Sequence, residues 1–154
     1  MAARRHQVPS PLSCSPRSAL NSASHQDVDS ILKQLRSCTR RLQIALSSHR
    51  LELQVLERLY YKGKNQHRTA LFWRRVVEIR RYGDRLQEMD AFNLVENIRL
   101  LFWGDTTLHS AKVLKGPWTH TPDVNYVRFV LQRCADCRQL MDKVLPKTLL
   151  PAII

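Results

Sequence analysis

Lys64-Asn65-Gln66-His67-Arg68 places two cations, two amides and an imidazole in five consecutive positions. The cations can neutralise phosphates, and Asn65 and Gln66 can donate and accept at base edges or 2′-hydroxyls. His67 can stack or contact phosphate. Just downstream, Phe72-Trp73-Arg74-Arg75 adds an aromatic pair and two guanidiniums. By residue type alone, the stretch from Tyr60 to Arg75 could be a catalytic loop, a polyanion clamp or a solvated helix end.

The distribution of charge favours the clamp. The chain of 154 residues has 25 Lys+Arg against 13 Asp+Glu, a net charge of +12. Between Tyr60 and Arg85 lie eight Lys/Arg and two acids, Glu78 and Asp84, so this segment carries half of the excess. Arg outnumbers Lys six to two there, which suits planar bidentate recognition of phosphate. A localised basic patch of this kind implies an anionic partner, nucleic acid or an acidic membrane surface. Charge runs are usually solvated faces, but the acids that normally intersperse such a face are few.

Other chemistries have less support. Cys134-Ala135-Asp136-Cys137 is a single CxxC, and tetrahedral zinc needs four ligands. Both thiols fall on a seam with Val127, Val130, Met141 and Val144, as small apolar core groups. His49 sits on the apolar seam of a long helix and reads as a core histidine. There is no HExxH, GxSxG or Walker loop, and the acids are too scattered for a two-metal site. The expectation is a protein that is not an enzyme and holds no metal or other cofactor.

The elements that must position the patch are helical. Only 4 Gly are present, and few stretches alternate as strands do. Val28, Leu32, Leu35, Leu42, Leu46, His49, Leu53, Leu56 and Tyr60 recur at three-four spacing, interrupted only at Cys38-Thr39. They predict one long helix, or two nearly collinear ones with a flaw at Ser47-Ser48, stopped by Gly63. A second helix is expected from about Gln66 to Arg85, a third from Ala91 to Trp103, and a last to about Leu145. Thr121-Pro122-Asp123 would start the last, with Thr121 as cap. The fold class is all-α, an antiparallel bundle of four to five helices over 26–154. Residues 1–25, with three Pro and six Ser, read as a disordered basic arm.

On the second helix, Leu71, Phe72, Val76, Ile79, Tyr82 and Leu86 share one arc, taken as the core face. Arg74, Arg81 and Arg85 align on another, spaced for consecutive phosphates. Ala70, Trp73 and Val77 form a smaller strip, a stacking platform for a base or a contact for a partner protein. Arg68 and Arg75 fall in the core arc, where Arg75 should meet a carboxylate such as Glu57 or Glu96, or sit at the rim. No apolar run approaches the roughly 20 residues that span a bilayer. The first residues lack a secretory h-region, while their Arg and Ser without acids permit a mitochondrial reading.

At Lys64-Asn65-Gln66-His67-Arg68, followed by Phe72-Trp73 and Arg74-Arg75, the chain resembles the protein-subunit family specific to RNase MRP. It is similar in the same region to the N-terminal domain of animal nucleolus and neural progenitor proteins. The likeness is strongest from Tyr60 to Arg85; elsewhere it extends to helical character and helix order. Phe72 stands where a second Trp is common. The resemblance implies a non-catalytic RNA-binding subunit of a nucleolar ribonucleoprotein in the nucleus that processes precursor rRNA, with RNA and Mg²⁺ doing the chemistry. Its partners would be RNase MRP RNA and other protein subunits, without a membrane. Lys62, Lys64, Arg68, Arg74, Arg81 and Arg85 would neutralise the RNA backbone, and Asn65, Gln66, His67 and Trp73 would complete the contact. Alternatives are a nucleolar ribosome-assembly or protein-interaction module, a peripheral membrane module, and a small nuclease using His67 with Lys64.

Overall fold

The computed structural model describes residues 14–104 and 113–144. These residues are mostly helical. Four α-helices, α1 (His25–Gly63), α2 (Leu71–Glu88), α3 (Ala91–Leu101) and α4 (Val124–Val144), are joined by short 3₁₀ turns and one small two-stranded sheet. α1 is continuous for 39 residues, with no break at Ser47-Ser48. Every residue of its seam from Val28 to Tyr60 is buried or half-buried. Thr39 continues that seam rather than interrupting it. Its hydroxyl donates to the Leu35 carbonyl at 2.8 Å, so a buried polar group is satisfied within its own helix. Cys38 points outward instead.

The described residues fall into two compact units. One is built from 14–39, 92–104 and 113–132, the other from 40–91 and 133–144. The first is organised around Trp118, which is 2% exposed. Its indole N–H donates to the Asp29 carboxylate at 2.9 Å. The Arg17 guanidinium lies 4.4 Å above the ring, and His25 and Phe102 meet it edge-on. Val28, Leu32, Val95, Ile98, Leu101, Tyr126 and Val130 are buried in the same unit. Burial pushes the Tyr126 phenol above its usual pKa, with a hydrogen bond to Asn97 acting the other way.

Two sequence expectations are corrected here. The arm assigned as disordered over 1–25 is structured from Cys14 onward. β1 (Cys14–Pro16) pairs antiparallel with β2 (His120–Pro122), Ser15 opposite Thr121, and Arg17 N–H donates to the Thr119 carbonyl at 2.8 Å. Residues 1–13 lie outside the described residues. With Thr121 and Pro122 in that ladder, neither starts α4. Asp123 does: its carboxylate accepts from the N–H groups of Asn125 at 3.0 Å and Tyr126 at 3.3 Å. α3 ends two residues before Trp103, and Gly104 takes the left-handed conformation (φ 95°) that turns the chain. The expected continuation of α4 to Leu145 falls outside the described residues at its last position.

In the second unit, α2 returns antiparallel along the C-terminal part of α1. Trp73 meets Tyr60 and Gly63, Arg80 pairs with Glu57, and Gly83 lies against Leu53. Cys137 of α4 is buried, its sulfur 3.3 Å from that of Met89.

Thermal unfolding should separate the roles in the first unit. Asp123→Ala removes a helix cap and should cost about 1 kcal/mol. Trp118→Ala empties the centre of the unit and should cost about 3–5 kcal/mol.

Candidate nucleic-acid interface

α1 ends at Gly63, and Trp73 occupies the space that a side chain there would need. A Cβ at Gly63 would lie 2.6 Å from the indole Cη2 and 2.8 Å from Cζ3. The same indole stacks on Tyr60, centroids 5.5 Å apart and planes 8° from parallel. Trp73 is thus 8% exposed, a core residue and not the free stacking platform expected of it. The reverse holds at two positions expected in the core: Phe72 is 54% exposed and Leu71 77%, while Val76, Ile79, Tyr82 and Leu86 of the same arc are half-buried.

The second helix, expected from about Gln66, starts only at Leu71, and residues 64–70 form a tight connection. Lys64 N–H donates to the Tyr60 carbonyl at 2.9 Å, and His67 N–H to the Gly63 carbonyl at 3.0 Å. Ala70 N–H then reaches back to the His67 carbonyl at 3.0 Å. Their side chains from Lys64 to Thr69 all face solvent. α2 begins at Leu71 with Ala70 as its cap residue, no side-chain cap and no acid in its first turn. That leaves the positive end of the helix dipole unopposed by protein.

Around this corner lies an open hollow of about 1010 Å³, lined by Tyr60, Lys64, Asn65, Arg68, Leu71, Trp73, Arg74, Arg75, Val77, Glu78 and Arg81. Of the residues named from the sequence, Lys64, Asn65, Arg68, Trp73, Arg74 and Arg81 come together here. Lys62, Gln66, His67 and Arg85 do not line it. His67 packs beside Phe72 and Trp73, with centroids 5.3 and 5.8 Å away. Arg85 is exposed, 5.9 Å from the Tyr82 ring, and Lys64 lies 4.7 Å from the Tyr61 ring.

Two guanidiniums have protein partners. Arg75 is exposed, as the rim alternative expects, and its partner is Glu78 at 2.9 Å in place of Glu57 or Glu96. Glu57 is instead taken by Arg80, which also lies 4.6 Å from the Tyr60 ring. The hydrogen bond to Glu57 raises the Arg80 pKa further. Arg68, Arg74 and Arg81 have no acidic partner among the described residues. Sequence reasoning missed Tyr60 as a wall and Leu71 as a rim. The one signal was Gly63 ten residues before a Trp.

Among the described residues, no group of three His, Cys, Asp or Glu could hold a metal ion, and no helix is long and apolar enough to cross a membrane. Cys134 is half-buried beside the buried Cys137. Burial chiefly, with the neighbouring Cys134, pushes the Cys137 thiol up. Chemically, the hollow is an acid-poor surface of planar cations, one amide and a helix N-terminus. It suits an extended polyanion.

Comparison with family models, curated proteins and solved structures finds no match.

Two measurements check this geometry. In urea denaturation, Trp73→Ala should cost about 3–5 kcal/mol, whereas Phe72→Ala should stay within about 0.5 kcal/mol as an exposed change. A raised pKa keeps Cys137 as the unreactive thiol. At about pH 8, close to the ordinary thiol pKa, iodoacetamide should therefore modify exposed Cys38 well before Cys137, as read by peptide mass spectrometry.

Proposed function

We propose that this chain is a non-catalytic RNA-binding subunit of a ribonuclease MRP-type ribonucleoprotein, acting on precursor rRNA in the nucleolus. The observation that carries the RNA-binding part is the hollow where Lys64, Arg68, Arg74 and Arg81 converge at the uncapped start of α2. Phosphates can fill the space between these cations, while Asn65 supplies a polar group able to read a base edge or a 2′-hydroxyl. The ribonucleoprotein part rests on the resemblance at Lys64–Arg68 and Phe72–Arg75. In this reading the helices form an antiparallel bundle of four to five members, and other protein subunits flank it. His67 leans on two aromatic rings, which suits a packing role at the rim better than proton transfer.

Salt dependence tests the reading directly. Each phosphate neutralised releases counterions, so log Kobs falls with log[salt] in proportion to the number of contacts. With structured RNase MRP RNA, the triple change Arg68→Ala, Arg74→Ala and Arg81→Ala should flatten that slope by about 2–3 units. All three side chains are exposed, so the fold should be kept. An unchanged slope with an intact circular dichroism spectrum places the RNA elsewhere. Metal-independent cleavage lost in His67→Ala would replace the proposal with a nuclease.

A further inference from the structure

α1 has a second apolar face that the core does not use. Within the second unit its seam of Leu46, Leu53, Leu56 and Tyr60 faces inward. On the other side of the same turns, Ile44 is 72% exposed, Leu51 63%, Val55 54% and Leu59 58%. At 100° per residue these four fall on one stripe, opposite the seam. The stripe spans about 22 Å at 1.5 Å rise per residue, with Ser48 as its one polar position between Ile44 and Leu51. Four large aliphatic side chains exposed in one line are unusual on a free surface.

Its borders are charged in one sense. Arg40, Arg41, Arg58 and Lys62 flank the stripe, all exposed and without an ion pair among the described residues. The one acid on its shoulder is Glu52. We propose that this stripe is a docking surface for an acidic amphipathic helix of a partner protein, apolar residues on the stripe and carboxylates on the flanking cations.

Charge complementarity selects that occupant. A second copy of this chain, packed antiparallel on the same face, would bring Arg40 and Arg41 against Arg58 and Lys62. Like charges so placed oppose association. A nucleic acid would satisfy the four cations but leave the aliphatic side chains between them without apolar contact. A helix with apolar residues at three-four spacing and Glu or Asp beside them satisfies both sets at once. The surface lies on the opposite side of α1 from the seam that α2 packs on, and it does not depend on what the cationic hollow binds.

The test uses the full chain and two synthetic helical peptides of about 18 residues, long enough to cover the stripe. Both carry Leu at three-four spacing; one has Glu at the flanking positions and its twin has Lys. In fluorescence anisotropy at low salt, the Glu peptide should bind and the Lys twin should be at least about tenfold weaker. Leu51→Ser with Val55→Ser should weaken the Glu peptide about tenfold or more, with melting temperature and RNA affinity unchanged. Three results would each overturn the proposal. The first is equal binding of the two peptides, or of the variant and the parent. The second is a dimer in sedimentation that the double change dissolves, which makes the occupant a second copy. The third is loss of RNA binding in the double variant, which assigns the stripe to RNA.

Discussion

The indole of Trp73, seated where Gly63 has no side chain and stacked on Tyr60, fixes the corner on which the candidate site is built. A side chain at Gly63 would collide with the ring, so the end of α1 and the start of α2 are held in one geometry. With Arg80–Glu57 and the Gly83–Leu53 approach farther along, that contact sets Lys64, Asn65 and Arg68 of the connection around the same hollow as Arg74 and Arg81 of the helix. The cations need not touch each other or the core. Their convergence follows from an apolar contact beneath them, and binding need not disturb the residues that hold the fold.

The backbone of the corner supports the same outcome. Hydrogen bonds from Lys64 to Tyr60, His67 to Gly63 and Ala70 to His67 use the amides of the connection internally. The side chains of 64–69 are left free to face solvent. α2 then starts without a cap, which costs helix stability that a Ser or Asp at position 70 would supply. An acid there would also oppose a phosphate, so the unfavourable cap is consistent with an anion-facing role.

How legible this was from sequence depended on whether one helix could decide the matter by itself. The seam of α1 was readable residue by residue because its apolar spacing is long and regular, and even Thr39 fits once its hydroxyl is satisfied locally. α2 was readable in existence and in most of its inner arc, since Val76, Ile79, Tyr82 and Leu86 are half-buried as their spacing predicts. Its first turn was not, because pattern alone put Leu71 and Phe72 on that arc in place of Trp73. The true face runs through Trp73, Val76, Arg80 and Gly83, because vacancies beside Gly63 and Gly83 let Trp73 and Leu53 approach. A vacancy on one helix is invisible in the periodicity of its neighbour. The structured segment from Cys14 was missed for a related reason: its partners, Thr119 to Pro122, lie about a hundred residues away in the chain. A Ser- and Pro-rich composition says only that the segment cannot pack on itself.

The cationic patch was legible because electrostatics survives an error in rotation. Eight cations and two acids between Tyr60 and Arg85 must produce an excess whichever face is inward. What the structure adds is how that excess is sorted. Glu57 and Glu78 engage Arg80 and Arg75, and Asp84 adds its field to Arg80. These three acids therefore act on guanidiniums that border the hollow or pack on Tyr60. Arg68, Arg74 and Arg81 remain, three exposed cations with no acidic partner among the described residues. An exposed guanidinium held that way loses little hydration when a phosphate arrives, and the phosphate gains bidentate geometry that water does not offer. Pairing some arginines within the fold thus leaves the others as the ones an outside anion would meet.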